Sequence, residues 1–203
     1  MAEAATPTPR SPLDGYTGPV GGPSDAGVVL GELRFQGKIN LRGTADDKAF
    51  SEAVAKAVGL APPATPGTVA TAGDRAVLWL GPDEWLVLMP AGEETAVATA
   101  LNAALAGMQA SATDVTDNYT TVRIAGPKAR WVLAKGWAVD LHPGVFGPGR
   151  VAQGNLALTN AILRQTTDDP PSFEILVRPS FAKYLWDWLT DAALEVGYRV
   201  EAG

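Results

Sequence analysis

The sequence predicts an α+β fold built from two copies of one unit: a strand, a helix, several antiparallel strands and a second helix. The segment KINLRG ends at Gly43 and precedes a helical pattern, and TVRIAG ends at Gly126 and precedes another. Further on, apolar strands stop at Pro90 and at Pro179, and each is followed by an amphipathic stretch. The corresponding landmarks lie about 83 and 89 residues apart. Such near-equal offsets indicate a pseudo-duplication.

The first unit, at about residues 28–110, opens with alternating apolar side chains that predict one strand over Val28–Arg42. Asp46 and Asp47 place negative charge at the start of a predicted helix, where the helix dipole favours it. The turn at 81–84, Gly-Pro-Asp-Glu, has proline at its second position and predicts a hairpin. The other expected elements are a helix to Val58, a short strand at 69–71, hairpin strands at 75–80 and 85–89, and a helix from Glu93 to about Ala106.

The second unit, at about residues 111–203, repeats this order. Gly126 and Pro127 follow a strand and precede a helix, and proline suits the first helical position. Ser180 is a good N-cap for the last helix. The expected strands lie near 112–115, 119–125, 151–158, 161–165 and 173–177, and the expected helices span 128–135 and about 180–196.

Residues 1–27 predict an extended arm before a single α+β domain at 28–203. The arm holds five Pro and five Gly, and it has too few apolar side chains to form a core of its own. Leu13, Tyr16 and Val20 are spaced apolar anchors, which favour a segment that becomes ordered along another surface. A terminus without fixed structure is the alternative.

The composition argues against several classes of function. The chain has no Cys, which excludes disulfides and thiolate chemistry, and its single His cannot build a His-rich metal site. The net charge of -6 argues against nucleic-acid binding. No apolar run reaches the roughly 20 residues of a membrane helix, and no secretory signal is seen. We therefore expect a cytoplasmic protein with no nucleic-acid or membrane partner.

Patterns that would indicate catalysis are weak. Neither GxxxxGK[ST] nor GxGxxG occurs, so no phosphate loop is predicted. The acidic pairs at 46–47, 93–94 and 168–169 fall at helix starts and in a turn, where carboxylates have structural uses. His142 precedes a proline and fits a turn or a partner contact better than a general base. We predict no catalytic, cofactor-binding or metal-ligating residue in this chain.

The second half instead indicates a docking surface. Trp131 begins a run of three apolar residues whose arc is wider than one core-facing helical stripe. Trp186 is rotated away from the apolar face of the last helix, so we expect it to face outward. Exposed aromatic residues beside basic ones are typical of interfaces, although a single core could absorb all six Trp. The candidate contact residues are Leu13, Tyr16, Trp131, Trp137, His142, Arg150 and Trp186.

The same half carries a local excess of positive charge. Between Asn118 and Thr167 six basic residues accompany one acid, Asp140. Such a block could complement an acidic protein or an anionic small ligand, and a solvated face is the alternative. The basic residues are Arg123, Lys128, Arg130, Lys135, Arg150 and Arg164.

Several motifs follow one another from the arm to the last helix. They are SPL at 11–13, LGPDEWL at 80–86, GP at 126–127 with AR at 129–130, LAKG at 133–136, DLHP at 140–143, Phe146 with PGR at 148–150, and VRPSF at 177–181 with YLW at 184–186. Taken together and in this order, the motifs resemble the gamma subunit of bacterial heterotetrameric sarcosine oxidase. The sequence departs from that family at Trp137, where a smaller residue is expected, and in most of the arm.

The resemblance implies a fold like the folate-binding domain of aminomethyltransferases and a role as a non-catalytic subunit. The family's enzyme oxidatively demethylates sarcosine to glycine, with hydrogen peroxide and formaldehyde or methylenetetrahydrofolate as products. Its alpha, beta and delta subunits, the expected partners of this chain, hold FAD, FMN, NAD, tetrahydrofolate and zinc. No cofactor is expected in this chain.

Two other functions stay open from the sequence. A ligand-binding module related to aminomethyltransferases would hold a folate-type anion near Arg123, Arg130 and Arg150. A self-contained one-carbon transferase is less favoured, because related transferases are much longer and use a carboxylate that has no evident counterpart here.

Overall fold

The computed structural model describes residues 8–202 and contains two β-sheets stacked face to face, each covered on its outer side by two helices. The strands are β1 (Val28–Leu33), β2 (Gly37–Arg42), β3 (Val69–Ala72), β4 (Arg75–Gly81), β5 (Glu84–Met89), β6 (Ser111–Asp114), β7 (Thr120–Ala125), β8 (Val151–Leu156), β9 (Thr159–Asp168), β10 (Pro171–Val177) and β11 (Tyr198–Val200). The α-helices are α1 (Lys48–Val58), α2 (Glu94–Ala104), α3 (Ala129–Ala134) and α4 (Ala182–Ala193).

The strand order shows the duplication directly. One sheet, the first-unit sheet, has the order β3-β4-β5-β2-β6. The other, the second-unit sheet, has the order β8-β9-β10-β7-β1 with β11 added beyond β1. Strands that correspond in the two units occupy the same places, so the predicted pseudo-duplicated α+β fold is confirmed.

The first strand of the chain crosses between the units. β1 pairs with β7 in the second-unit sheet, whereas β2 pairs with β5 and β6 in the first-unit sheet. The single strand expected over 28–42 is therefore wrong. The chain turns at 34–36, where Phe35 has a φ of 54°. No Gly or Pro marks this turn, so the alternation of apolar and polar residues continues across it without a sign of a break.

Alternation along each strand divides the interior into three layers. On β5, Trp85, Val87 and Met89 face α1 and α2, while Leu86 and Leu88 face the opposite sheet. The helices bury their apolar stripes on the outer faces, as period-3.6 patterns predict. The middle layer between the sheets consists of Ala76, Leu78, Leu86, Leu88, Val151, Ile162 and Leu176.

Local signals account for helix ends. The Asp47 carboxylate accepts a hydrogen bond from the Ala49 backbone N–H at 2.8 Å, which caps α1. The helix ends at Gly59, whose φ of 85° suits a residue without Cβ.

The arm lies along this chain's own body over its described part. Leu13 is buried in the core of the second-unit sheet, and the hydroxyl of Tyr16 donates to Asp187 of α4 at 2.6 Å. Gly21 bridges Val200 of β11. Leu13 and Tyr16 therefore order the arm on this chain, whereas Val20, the third expected anchor, is 66% exposed. Residues 1–7 of the predicted arm lie outside the described residues. Strand β11, three residues long, escaped the sequence analysis because so short a run carries no clear period.

Candidate functional site

Trp131 is the most conspicuous of the predicted contact residues. It projects from α3 with 42% of its surface exposed, and the Lys135 ammonium lies 4.0 Å from the centre of its ring. Lys135 also donates to the Ala192 carbonyl oxygen at 2.7 Å, which ties α3 to the end of α4. The indole is therefore held at the surface by a cation–π contact.

His142 lies on a loop that Arg130 holds against α3. Arg130 donates to the backbone carbonyls of Leu141 and Phe146 at 2.6 and 2.8 Å. The imidazole Nδ1 of His142 accepts from the Gly144 backbone N–H at 3.1 Å, so the ring shapes the turn. His142 itself and Val145 are exposed. This loop presents exposed side chains next to the Trp131 helix.

Three of the predicted contact residues are buried. Trp186 is only 3% exposed, so the expectation that it faces outward is wrong. The reason is the arm, because Leu13 joins the same buried cluster as Trp186 and Tyr16 bonds the adjacent Asp187. Trp137 is also buried in that cluster, which removes these side chains from the protein surface.

Trp137 carries an unusual feature for a buried side chain. Its indole Nε1 has no hydrogen-bond partner within residues 8–202. The ring packs beside Gly154, where a Cβ would lie 3.7 Å from the indole, an ordinary van der Waals distance. An unpaired buried N–H costs about 1–3 kcal/mol, so the packing of the ring has to offset that cost.

The basic block of the second half is largely neutralised in space. Ion pairs join Arg130 to Asp168 at 2.7 Å and Lys135 to Glu195 at 3.3 Å. Two further pairs are Arg123–Glu201 and Arg164–Glu174. All four acids lie after residue 167 in the sequence, outside the segment from Asn118 to Thr167 that shows the excess of basic residues. Lys128 and the exposed Arg150 are the members of the block that form no ion pair among the described residues.

A cleft of about 930 Å³ opens between the two sheets beside the turn at Phe35. Four arginines line it, and each is paired with a carboxylate. The pairs are Arg34–Asp14, Arg75–Glu93, Arg123–Glu201 and Arg164–Glu174. Glu32 and Asp74 add further negative charge to the lining. The cleft therefore has no surplus of cations for an anionic ligand.

The three arginines proposed for a folate-type anion do not converge. Arg123 lines the inter-sheet cleft. Arg130 is tied to the His142 loop and lies 5.3 Å from the Phe173 ring centre. The backbone of Arg150 forms an isolated antiparallel β-bridge with Thr68 at the edge of the sheets. No described cavity brings these three side chains together.

Lys38 on β2 is a cation buried between the sheets, with 2% of its surface exposed. Its ammonium donates to the Gln36 carbonyl oxygen at 2.7 Å. Burial lowers the pKa of Lys38 to about 8, against the attraction of Glu174, Asp117, Glu32 and Glu94, which acts to raise it. Sequence reasoning missed this residue, because an isolated lysine in a strand is expected to point its side chain toward solvent.

Folding stability is expected to rise between pH 8 and pH 10.5 because of Lys38. The unfolded chain keeps the ordinary pKa of 10.5 and binds more protons than the folded chain over this window. The midpoint of urea unfolding should therefore be higher at pH 9.5 than at pH 7.5. Lys38→Met should remove this slope, whereas Lys48→Met, at an exposed position on α1, should keep it. A midpoint of the parent protein that falls over this range would contradict the assignment.

Among residues 8–202, no set of three His, Asp or Glu side chains is placed to hold a metal ion. Within the same range, no helix is both long and apolar enough to span a membrane.

Fold and surface together define a class: a duplicated two-sheet α+β protein that presents apolar side chains at its surface. The model of the sarcosine oxidase gamma subunit family matches residues 42–195. The chain belongs to the sarcosine oxidase gamma subunit family.

Its relatives bear out this membership. A sarcosine oxidase subunit gamma from Corynebacterium sp. (strain P-1) is 36% identical over 193 residues, which cover 94% of this chain and 93% of the relative. A chain of the heterotetrameric sarcosine oxidase from Corynebacterium sp. U-96 superposes with a TM-score of 0.83 at 33% identity, covering 93% of this chain and 96% of that one.

A more distant structure confirms the architecture alone. The glycine cleavage system aminomethyltransferase T from Bartonella henselae superposes with a TM-score of 0.65 at 15% identity. The match covers 88% of this chain and 48% of that chain. The expected aminomethyltransferase-like fold is therefore confirmed. At this identity the likeness concerns the fold and not the ligands.

Proposed function

We propose that this chain is a non-catalytic subunit of a heterotetrameric sarcosine oxidase. The observation that carries the proposal is the match over nearly the whole chain to a chain of such an oxidase, with a TM-score of 0.83. A subunit that works by docking needs surface contacts more than a reactive cluster, and the described residues fit this requirement. Exposed Trp131 and the His142 loop would supply such contacts, and exposed Arg150, which forms no ion pair within residues 8–202, would add a cation elsewhere on the surface.

The assembled enzyme, on this proposal, oxidatively demethylates sarcosine to glycine. Oxygen is reduced to hydrogen peroxide, and the one-carbon unit leaves as formaldehyde or as methylenetetrahydrofolate. The alpha, beta and delta subunits hold FAD, FMN, NAD, tetrahydrofolate and zinc, and the complex is cytoplasmic. The present chain contributes shape and adhesion to those larger partners.

Co-expression with the three other subunits tests this function. We expect this chain to elute with them in one peak of size-exclusion chromatography, and that peak to show the visible absorption of flavin. The purified chain alone should show no flavin absorption and no turnover of sarcosine. Turnover by the isolated chain, or its elution apart from the flavin-containing peak, would overturn the proposal.

The alternative, a folate-type ligand-binding module, is less well supported by the charges. Tetrahydrofolate carries carboxylates that need free cations, and each arginine of the inter-sheet cleft already has a carboxylate partner. The lining therefore does not fit this anion. Calorimetric titration of the isolated chain with tetrahydrofolate should show no saturable heat, and a measurable Kd would favour the alternative instead.

A further inference from the structure

We propose that a groove beside the β8–β9 turn receives an extended segment of another subunit of the oxidase, one that carries an aliphatic side chain next to a carboxylate. This inference rests on the proposed function and names a contact surface for it. The groove, here the Leu158 groove, is a cavity of about 340 Å³. Its defining residues are Tyr119, Leu158, Ile162, Leu176, Arg178 and Phe181.

The apolar part of the Leu158 groove is open at its rim and closed at its floor. Leu158 is 85% exposed and Phe181 is 45% exposed. The floor is formed by Ile162 and Leu176, which belong to the buried layer between the sheets. An inserted aliphatic side chain would therefore contact the core below and would cover two large apolar side chains at the rim.

The turn that presents Leu158 is held in an uncommon conformation. β8 and β9 are joined by two residues, Ala157 and Leu158, since Leu156 pairs with Thr159. Ala157 has a φ of 51°, at a loop position where glycine is preferred. The Tyr184 hydroxyl accepts a hydrogen bond from the Leu158 backbone N–H at 3.2 Å. The fold thus fixes an exposed leucine at local backbone cost, which is typical of functional positions.

The charge of the groove selects the chemistry of its occupant. The guanidinium of Arg178 lies 5.0 Å from the centre of the Tyr119 ring and is exposed. It forms no ion pair within residues 8–202, in contrast to the arginines of the inter-sheet cleft. A carboxylate on the incoming segment would complete this site with a charge-assisted hydrogen bond.

A second copy of this chain fits the groove less well than a different subunit. In a two-fold symmetric dimer the same patch meets itself, so two Arg178 guanidinium groups would face each other. Like charges across an interface disfavour that pairing. A subunit of different sequence can instead bring a carboxylate to Arg178 and an aliphatic side chain to the apolar part of the groove.

Assembly measurements on variants of the full chain test the proposal. Leu158→Asp and Arg178→Glu are each expected to raise the Kd for the other three subunits by about tenfold or more. Leu158→Asp places an ionised group in the apolar part of the groove, and Arg178→Glu places a negative charge opposite the incoming carboxylate. The matched controls are Val20→Asp and Arg199→Glu, at exposed positions outside the groove, and they should leave the Kd within about twofold. Circular dichroism melting of each variant reports whether the fold is kept.

A photo-cross-linking residue at position 158 gives an independent readout that needs no loss of function. Cross-linking within the assembled complex to one of the other subunits, and no such product from position 20, is the expected result. A cross-link to a second copy of this chain, or a Kd that neither groove variant changes, would overturn the groove as a contact surface. The proposed function would not be affected by either result. If the unaltered chain never assembles with the other subunits, the proposed function and this inference fail together.

Discussion

Replacing Glu174 with Gln is expected to lower the free energy of unfolding by about 3–5 kcal/mol. The Glu174 carboxylate accepts from Arg164 at 2.7 Å, and both side chains are nearly buried on the inner face of the second-unit sheet. The substitution keeps the shape of the side chain but leaves the Arg164 charge without its partner. Urea unfolding at neutral pH, followed by tryptophan fluorescence, measures the change.

The exposed pair on α1 provides the matched control. The Lys48 Nζ and the Glu52 Oε1 lie 3.5 Å apart, the two residues are one helical turn from each other, and both side chains are well exposed. Glu52→Gln should change stability by less than about 0.5 kcal/mol, since water screens such pairs. Equal effects of the two substitutions would show that Arg164 finds another partner or sufficient water.

The second large effect is expected at Leu13. Leu13→Ala should destabilise the protein by about 2–4 kcal/mol, because the leucine side chain is buried beside Trp186 and its removal leaves a cavity. It should also loosen the arm, so limited proteolysis should cleave the arm sooner than in the unaltered protein. Both readings can be taken on the same purified sample.

Val20→Ala is the control for the arm, because Val20 is 66% exposed. A stability change below about 0.5 kcal/mol is expected there. An unchanged rate of arm cleavage in Leu13→Ala would mean that Tyr16 and the bridge of Gly21 to Val200 hold the arm without Leu13.

The parts of the fold that sequence predicts well are those with local causes. The Asp47 cap, the hairpin turn at 81–84 and the stop at Pro90 each act within a few residues, and each appears in the structure at its expected place. The spacing of Gly43 from Gly126 and of Pro90 from Pro179 also revealed the duplication, since both units repeat the same local signals. The turn at Phe35 has no such signal, and there the prediction of one strand is wrong.

The surface was harder to predict, because it depends on contacts between distant segments. The helical pattern of α4 leaves Trp186 outside the main stripe, and only the arm, more than 160 residues earlier, explains its burial. The excess charge around Arg130 and Lys135 is likewise cancelled by acids that lie beyond the basic block in sequence. Conversely, Leu158 lies outside the motifs of the sequence, and the motif VRPSF at 177–181 gives no sign that Arg178 is exposed without an ion pair within residues 8–202, so both residues stand out only after folding.

The placement of β1 has a consequence for how the two halves depend on each other. The opening strand of the chain completes the sheet of the other half, and the closing strand, β11, pairs in parallel with it. A polypeptide cut near residue 110 would leave β7 with a bare edge and β11 with nothing to pair with. Strand β6, which lies after residue 110, pairs in turn with β2, so each half supplies one strand to the sheet of the other. We therefore expect neither half to fold on its own.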